Sequence, residues 1–207
     1  MSIERKRIDI LLMERGLFES RSAARAAIMA GLVLVDGEKV DKPGSQVTDQ
    51  IQVTVQKLPR YVSRGGLKLE KALQEFSIDV NGRIAMDVGA STGGFTDCLL
   101  QHGAAKVYCI DVGYGQLDWR LRQDERVVSL ERTNIRHLLA EAITERIQFA
   151  TIDVSFISLA LVLPKLKSME IAEIVALVKP QFEVGKGRVG KKGVVRDPLE
   201  HLSVLQK

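Results

Sequence analysis

The sequence lacks the features that several classes of protein need. Its longest apolar stretches, Phe156–Pro164 and Ile174–Val178, fall far short of the roughly 20 apolar residues that cross a bilayer. Residues 1–7 are basic, but no apolar run or small-residue cleavage site follows them. We therefore expect a cytoplasmic protein without a membrane-spanning helix or a secretion signal.

Cysteine and histidine are scarce. The two cysteines, Cys98 and Cys109, fall in a predicted helix and a predicted buried strand, which favours reduced core thiols over a disulfide. The three histidines, His102, His137 and His201, have no ligand-like spacing. The sequence therefore predicts no metal site.

Positive charge is concentrated at one end of the chain. Residues 1–68 hold 12 Lys+Arg and 8 Asp+Glu, so the remaining 18 of each sign cancel over residues 69–207 and the whole net charge of +4 lies in the first third. Such an asymmetry is typical of a module that binds a polyanion attached to a neutral body, although a solvated basic face gives the same count.

The N-terminal third predicts two short helices and a β-ribbon. Apolar residues recur at helical spacing from Ile8, and a second helix can begin at Ser20 or Ser22 and end at Gly31. A ribbon follows, with a turn at Asp36-Gly37 and strict alternation over Ile51–Val55. Pro59 marks the expected boundary, which gives a domain at 1–58, a linker at 59–65 and a second domain at 66–207.

The second helix carries Arg21 and Arg25, which can fork onto phosphate oxygens or form a solvated face. Residues 15–25 and 28–37 resemble the alpha-L RNA-binding module shared by a small-subunit ribosomal protein and many pseudouridine synthases. The resemblance covers about residues 6–56 and implies binding of structured RNA through shape and backbone. The expected RNA contacts are Lys6, Arg7, Arg21 and Arg25.

From residue 66 onward, strand and helix patterns alternate, which predicts parallel βαβ units and a doubly wound sheet. The expected strands are Ile84–Val88, Lys106–Asp111, Arg126–Leu130, Ile147–Asp153 and Ile171–Val178, and the helices between them include Gly94–Gln101, Ile135–Glu145 and Ser158–Lys167. The fold class is α/β, a Rossmann-like domain of mostly parallel sheet with a small N-terminal α+β domain. In such folds the ligand lies at the carboxyl ends of the strands.

The first of these strands runs into a glycine-rich turn, residues 87–96. No Lys follows Gly94 and position 91 is Ser, which disfavours both a nucleoside-triphosphate loop and a nicotinamide fingerprint. The acid Asp87 before the turn suits a ligand with an amine or hydroxyls, and Asp111 at the end of the second strand can accept ribose hydroxyls. Together they predict an S-adenosylmethionine pocket, whose expected contacts are Asp87, Gly89, Ser91, Gly93, Gly94, Phe95, Asp111 and Asn134. Asn134 can equally be a local turn cap.

The end of the fourth strand, Asp153-Val154-Ser155-Phe156, lacks the Asn/Asp-Pro-Pro-Tyr/Phe signature of base-amine methyltransferases, and no Cys lies there for transfer to a cytosine carbon. A ribose hydroxyl needs a base or an orienting group beside an electrostatic partner. The candidate catalytic residues are Asp153, Lys179 and Lys68. Asp153 and Lys179 are favoured because they end strands, whereas Lys68 lies in a helix that enters the domain and on its own is more often a solvated lysine.

Six strings, in order, resemble the TlyA family, long labelled haemolysin A. They lie at residues 61–69, 87–96, 111–117, 132–136, 153–158 and 179–183. The family's catalytic domain is similar to FtsJ-type ribose 2′-O-methyltransferases, and the resemblance implies methylation of cytidine riboses in ribosomal RNA with S-adenosylmethionine. It also implies a Lys-Asp-Lys-Glu tetrad, of which Lys68, Asp153 and Lys179 match three members.

In the family's pattern the fourth tetrad member, a Glu, lies on a later strand. Glu183 follows Lys179 too closely to stand in for it. We expect either a truncated chain or a shortened homologue with reduced activity, and an open sheet edge after the fifth strand favours truncation.

The loop at 183–196 is rich in basic residues and glycine. It is either an RNA clamp or a mobile charged loop, and its candidate contacts are Lys186, Arg188, Lys191 and Lys192. Two other functions are weighed against methyl transfer. One is RNA binding without catalysis, and the other is a cytolysin, which the sequence disfavours because no lipid-inserting segment is evident.

Overall fold

The computed structural model describes residues 5–56, 59–185, 187–190 and 193–206. The chain divides into two compact units, Met1–Pro59 and Arg60–Lys207. Residues 60–65, which include most of the expected linker, therefore belong to the larger unit.

The smaller unit contains two helices and short strands. Its elements are β1 (Arg5–Arg7), α1 (Ile8–Glu14), α2 (Arg21–Met29), β2 (Val33–Val35), β3 (Glu38–Lys39), β4 (Gln46–Thr48) and β5 (Val53–Val55). Ser20 caps α2 by accepting a hydrogen bond from the amide of Ala23, and Gly31 follows the helix with φ +68°. Both helices and the β2–β3–β5 ribbon agree with the sequence patterns.

Small side chains allow the two helices of this unit to pack closely. Ala24 and Ile28 of α2 are fully buried against Ile8 and Leu12 of α1, and Val33 extends this core into the ribbon. The antiparallel pairing of β1 with β4 was not predicted, because Arg5-Lys6-Arg7 shows no apolar alternation.

The larger unit alternates strands and helices. Its elements are α3 (Gly65–Glu75), β6 (Ile84–Val88), α4 (Gly94–Gln101), β7 (Lys106–Ile110), α5 (Trp119–Arg122), β8 (Val127–Leu130), β9 (Phe149–Ile152), α6 (Leu163–Ser168), β10 (Glu173–Ala176), α7 (Pro180–Glu183) and α8 (Pro198–Leu205). The five strands form one parallel sheet in the order β10-β9-β6-β7-β8, which confirms the α/β fold class.

The strand order places the ligand region. The chain goes from β6 to β7 on one side and later crosses to β9 on the other side, so the order reverses next to β6. A crevice opens at the carboxyl ends of the strands at such a reversal. The residues that follow β6, β7 and β9 therefore converge there.

Both faces of the sheet are covered by apolar layers. Leu69 and Leu73 of α3 and Leu99 of α4 pack on one face, and Leu166 of α6 packs on the other with Met86 and Ile152 from the strands. No helix among the described residues is long and apolar enough to cross a membrane.

Two predicted helices are not continuous in the structure. Residues 135–145 form two 3-10 turns, Ile135–His137 and Ala140–Ala142, instead of one α-helix. Leu138 adopts an extended backbone with ψ 124°, which ends the first turn and lets both Ile135 and Leu138 reach the core. The helix expected at 158–167 is likewise split into a 3-10 turn, Leu159–Leu161, followed by α6.

A carboxyl group lies in the middle of the sheet. Asp87 in β6 is fully buried, and it accepts hydrogen bonds from the hydroxyls of Thr96 at 2.7 Å and Thr151 at 3.1 Å. Burial raises the pKa of Asp87 to about 6, although the threonine hydroxyls act in the opposite direction. The carboxyl group of Asp87 therefore stays protonated to a higher pH in the folded protein than in the unfolded chain.

Substitution of this acid should change how stability depends on pH. Because the pKa of Asp87 is raised on folding, its ionisation costs stability as pH rises from about 4 to above 6. We expect Asp87→Asn to gain stability relative to the native protein across that interval, by up to about 3 kcal/mol. Urea unfolding at pH 4.5 and 7.5 measures this. A difference that stays constant with pH would show that Asp87 is ionised throughout.

Candidate active site

The turn after β6 is shaped by glycine. Gly89 has φ +84°, and a Cβ there would lie 2.7 Å from the carbonyl oxygen of Asp153, so a side chain at this position would collide with the backbone after β9. Gly93 has φ +93° and lies under Leu117 and Leu121. These two glycines let the loop turn tightly at the carboxyl end of the sheet.

Asp111 fixes the neighbouring loop. Its carboxylate accepts hydrogen bonds from the amide of Ser91 and from the amide of Gly113, each at 2.7 Å. Ser91 itself has φ +48°, an uncommon conformation for a residue with a side chain. Asp111 thus ties the glycine turn to the loop after β7 and leaves part of its carboxylate at the wall of the crevice.

A cavity of about 490 Å³ opens beside this carboxylate. Its lining includes Gly89, Ser91, Asp111, Asn134 and Asp153, together with apolar side chains such as Ile110. The volume is within the range of small-molecule sites, and apolar walls with a few polar groups are typical of them.

A second cavity, of about 550 Å³, adjoins the first and shares Gly89, Ser91, Asp153 and Ser155 with it. The lining of this cavity that is not shared includes Ser63, Arg64, Lys68, Gly94, Phe95 and Lys179. The segment before α3 packs directly on the glycine turn, since a Cβ at Gly94 would lie 2.2 Å from Ser63 Oγ.

Two lysines flank one carboxylate where the cavities meet. Lys179 Nζ lies 2.5 Å from Asp153 Oδ1, and Lys68 Nζ lies 3.8 Å from Asp153 Oδ2. The contact of Lys179 with Oδ1 is an ion pair without hydrogen-bond geometry, and Lys179 Nζ donates a hydrogen bond to Ser155 Oγ at 2.9 Å. The side chain of Asp153 is 20% exposed, so the cluster is open to a ligand.

The structure brings most of the predicted site residues together. Gly89, Ser91, Asp111 and Asn134 line the first cavity, and Gly94 and Phe95 line the second. Asn134 also caps the following 3-10 turn by accepting a hydrogen bond from the amide of Arg136, at 3.1 Å. The two alternatives for this residue are therefore compatible.

Two predicted contacts lie behind the walls of the cavities. Asp87 is fully buried beneath the turn, and Gly93 is buried against leucines. Neither residue lines the two cavities, so a direct contact of either with a cofactor stays a prediction.

Several lining residues were missed in the sequence. Ser155 lies in the recognised string that contains Asp153, and its hydroxyl holds Lys179; Ser63 and Arg64 lie in the string that ends at Leu69. Gln116 and Thr133 also line the first cavity. These residues lie in or beside the recognised strings, but no sequence pattern indicates which of their side chains point inward.

Glu183 has hydrogen-bond partners of its own, apart from the Lys68–Asp153–Lys179 cluster. Its carboxylate accepts hydrogen bonds from Ser158 Oγ at 2.6 Å and from the amide of Leu159 at 2.8 Å. Glu183 thus holds the turn after β9, which agrees with the expectation that it does not replace the fourth tetrad member. Among the described residues no cluster of His, Cys, Asp and Glu could hold a metal ion.

The predicted RNA contacts have different surroundings. Lys6 pairs with Glu14, Arg7 and Arg21 both pair with Asp9, and Arg25 is exposed. In the C-terminal loop, Arg188 pairs with Glu200 at 3.1 Å. Lys186, Lys191 and Lys192 lie outside the described residues.

Two domain families match the chain. The FtsJ-like methyltransferase family matches residues 61–207, and the S4 domain matches residues 6–50. The S4 match covers the segment that resembled an alpha-L module, and the first match begins four residues before α3.

Named relatives align with nearly the whole chain. The chain is 54% identical to the 16S/23S rRNA (cytidine-2′-O)-methyltransferase TlyA of Mycobacterium tuberculosis over 97% of this chain and 77% of that protein. It is 45% identical to hemolysin A of Brachyspira hyodysenteriae over 96% of this chain and 84% of that protein. A solved structure from Streptococcus thermophilus has 48% identity and a TM-score of 0.70, over 99% of this chain and 76% of that one.

These matches confirm the family resemblance that the six strings carried. The domain order and the identity over nearly the full chain agree with it. The chain, which joins an S4 domain to an FtsJ-like methyltransferase domain, belongs to the TlyA family.

Proposed function

We propose that this protein transfers a methyl group from S-adenosylmethionine to the ribose 2′-hydroxyl of a cytidine in ribosomal RNA. The observation that carries the proposal is the Lys68–Asp153–Lys179 cluster at the junction of two cavities. Family membership and the named activity of the mycobacterial relative support the same reaction.

The first cavity suits the cofactor. Asp111 can accept ribose hydroxyls at its wall, and Asn134 offers an amide to the edge of an adenine. Gly89 allows close approach to the backbone. Bound there, S-adenosylmethionine supplies an electrophilic methyl group on a sulfonium centre.

The second cavity suits the substrate ribose. Arg64 and Lys68 line it, and both are exposed cations that can meet RNA phosphates as the ribose enters. Asp153 and Ser155 belong to both cavities, so a hydroxyl that reaches them also faces the cofactor site. This placement aligns the nucleophile before reaction.

The cluster supplies the acid–base and electrostatic requirements. The 2′-hydroxyl loses its proton as its oxygen takes the methyl group, and Nζ of Lys179, which Ser155 holds in place, accepts that proton. Lys68 and Asp153 orient the hydroxyl, and the positive charge of Lys68 stabilises negative charge that develops on the oxygen.

The S4 domain supports the choice of RNA as the substrate. Arg25 is exposed on α2 and has no ion-pair partner among the described residues, so its guanidinium is available to a phosphate. One relative is named hemolysin A, but the cavities described above offer no lipid-inserting segment that would support lysis. RNA binding without methyl transfer is the alternative that the experiments distinguish.

Replacing the acid at the wall of the first cavity should weaken cofactor binding. Asp111→Ala removes both carboxylate oxygens, and we expect about a 10- to 100-fold higher Kd for S-adenosylmethionine by calorimetry. Asp79→Ala is the matched control. Asp79 is an exposed acid that precedes the amino end of β6, whereas the cavities lie at the carboxyl ends of the strands. Equal affinity of both variants would remove Asp111 from the cofactor site.

Loss of the cluster should affect turnover more than cofactor binding. We expect Lys179→Ala to lower kcat for methylation of ribosomal RNA by about 10²- to 10⁴-fold, and Lys68→Ala to lower it less. Transfer of a radiolabelled methyl group to ribosomal RNA, with mapping of the modified ribose, measures this. The control is Lys71→Ala, on the same helix as Lys68 but absent from the lining of both cavities.

The result for the unmodified protein separates the two functions. Tight RNA binding without any methyl transfer would show that the protein binds RNA without modifying it, and would refute the catalytic role of the cluster. A methyl group found on a base instead of a 2′-oxygen would overturn the assigned acceptor.

The exposed arginine of the S4 domain should contribute to RNA affinity through charge. We expect Arg25→Ala to weaken binding and to reduce the slope of log K against log salt by about 0.7–0.9, the value for one lost phosphate contact. Arg146→Ala removes an exposed arginine of the larger unit and serves as the comparison. An unaltered slope for Arg25→Ala would exclude a phosphate contact at this position.

A further inference from the structure

A fully buried carboxylate in the S4 domain is paired with two arginines. Asp9 in α1 has no exposed surface. Its Oδ1 accepts a hydrogen bond from Arg7 Nε, and its Oδ2 accepts one from Arg7 Nη2, both at 3.0 Å. Oδ2 also accepts from Arg21 Nε at 3.0 Å. One acid therefore joins two arginines from different elements, β1 and α2.

The two guanidinium groups are held close together by this shared oxygen. Like charges repel, so two free arginine side chains at the surface would stay apart and sample many rotamers. The hydrogen bond from Arg7, with a smaller contribution from Arg21, lowers the pKa of Asp9 to about 2 despite burial. Asp9 is thus ionised at neutral pH and keeps both arginines in place.

Both arginines remain partly open to solvent. The side chain of Arg7 is 40% exposed and that of Arg21 is 48% exposed. Over the described residues, Arg7 Nη1 and both Nη groups of Arg21 make no hydrogen bond. A Cβ at Gly44 would lie 3.3 Å from Arg7 Nη1, so glycine there leaves room for this group.

We infer that Asp9 is a positioning residue that holds Arg7 and Arg21 together as a preformed site for one phosphodiester group of RNA. The inference rests on the proposed function, since it presumes that the S4 domain binds RNA. On this inference an acidic residue, Asp9, contributes to RNA binding, although its charge alone would be expected to weaken binding of a polyanion.

The physical advantage lies in order before binding. A guanidinium fixed by a buried acid has already lost much of the side-chain entropy that binding would otherwise cost. Its unused N–H groups are left for phosphate oxygens, which guanidinium groups bind in a bidentate manner. The three charges still sum to +1, so the site remains attractive to an anion.

Removal of the negative charge gives a test in which charge counting and positioning predict opposite signs. Asp9→Asn makes the domain more basic, yet we expect about tenfold weaker binding of RNA and a salt slope reduced by about 0.7–0.9. Glu19→Gln is the matched control, because it removes one exposed negative charge just before α2. We expect this control to bind as well as the native protein or slightly better.

The measurement is fluorescence anisotropy of the full chain with a fluorescein-labelled hairpin of ribosomal RNA, over a series of salt concentrations. Stoichiometric titration gives the binding-competent fraction of each variant, and calorimetry with S-adenosylmethionine reports on the larger unit. A loss confined to the competent fraction, with unchanged Kd and salt slope, would make Asp9 merely structural and overturn the inference.

A double-mutant cycle provides the second test. If Asp9 acts through Arg21, then Asp9→Asn should add much less to Arg21→Ala than it costs alone, whereas Asp9→Asn and Arg25→Ala should be additive. Additivity with Arg21→Ala, or binding by Asp9→Asn equal to that of Glu19→Gln, would refute the positioning role. Absence of RNA binding by the native protein would instead defeat the proposed function, and the inference with it.

Discussion

The close approach of two strand ends at the centre of the sheet is the constraint on which the site depends. Gly89, after β6, lies so near the carbonyl of Asp153, after β9, that no side chain fits between them. This contact places Asp153 between the two cavities and within reach of Lys68 from α3 and of Lys179, which immediately precedes α7. Without it, the glycine turn and the candidate catalytic acid would not share one crevice.

Each of the two units contains one aspartate paired with two basic side chains, but the two aspartates differ in burial. In the larger unit, partly exposed Asp153 is flanked by two lysines, and the cluster faces the space for a ligand. In the smaller unit, Asp9 is fully buried, and its two arginines face outward instead. Since a buried charge is costly unless it is paired, Asp9 constrains where its two arginines lie.

Sequence patterns predicted the elements whose signals are local. The strand Ile84–Val88 and the helix Gly94–Gln101 have the expected bounds, because an apolar run ends at a glycine turn and amphipathic spacing follows it. The helix expected at 135–145 failed, because its apolar residues also suit short turns that bury the same side chains. The needs of a ribose hydroxyl and the expected strand ends named Lys68, Asp153 and Lys179 as candidates, and the family strings matched the same three residues to a tetrad.

The sequence by itself determined the residue types, the local turns, the separation of charge between the two ends and the family. Only the tertiary structure decided that Lys68, Asp153 and Lys179 meet, that Asp87 lies behind the cavities, and that Arg21 shares Asp9 with Arg7. The reason is physical: backbone preferences act over a few residues, whereas these contacts join segments far apart in the chain. Strand order and helix packing set their distances, and both arise from burial of the whole core.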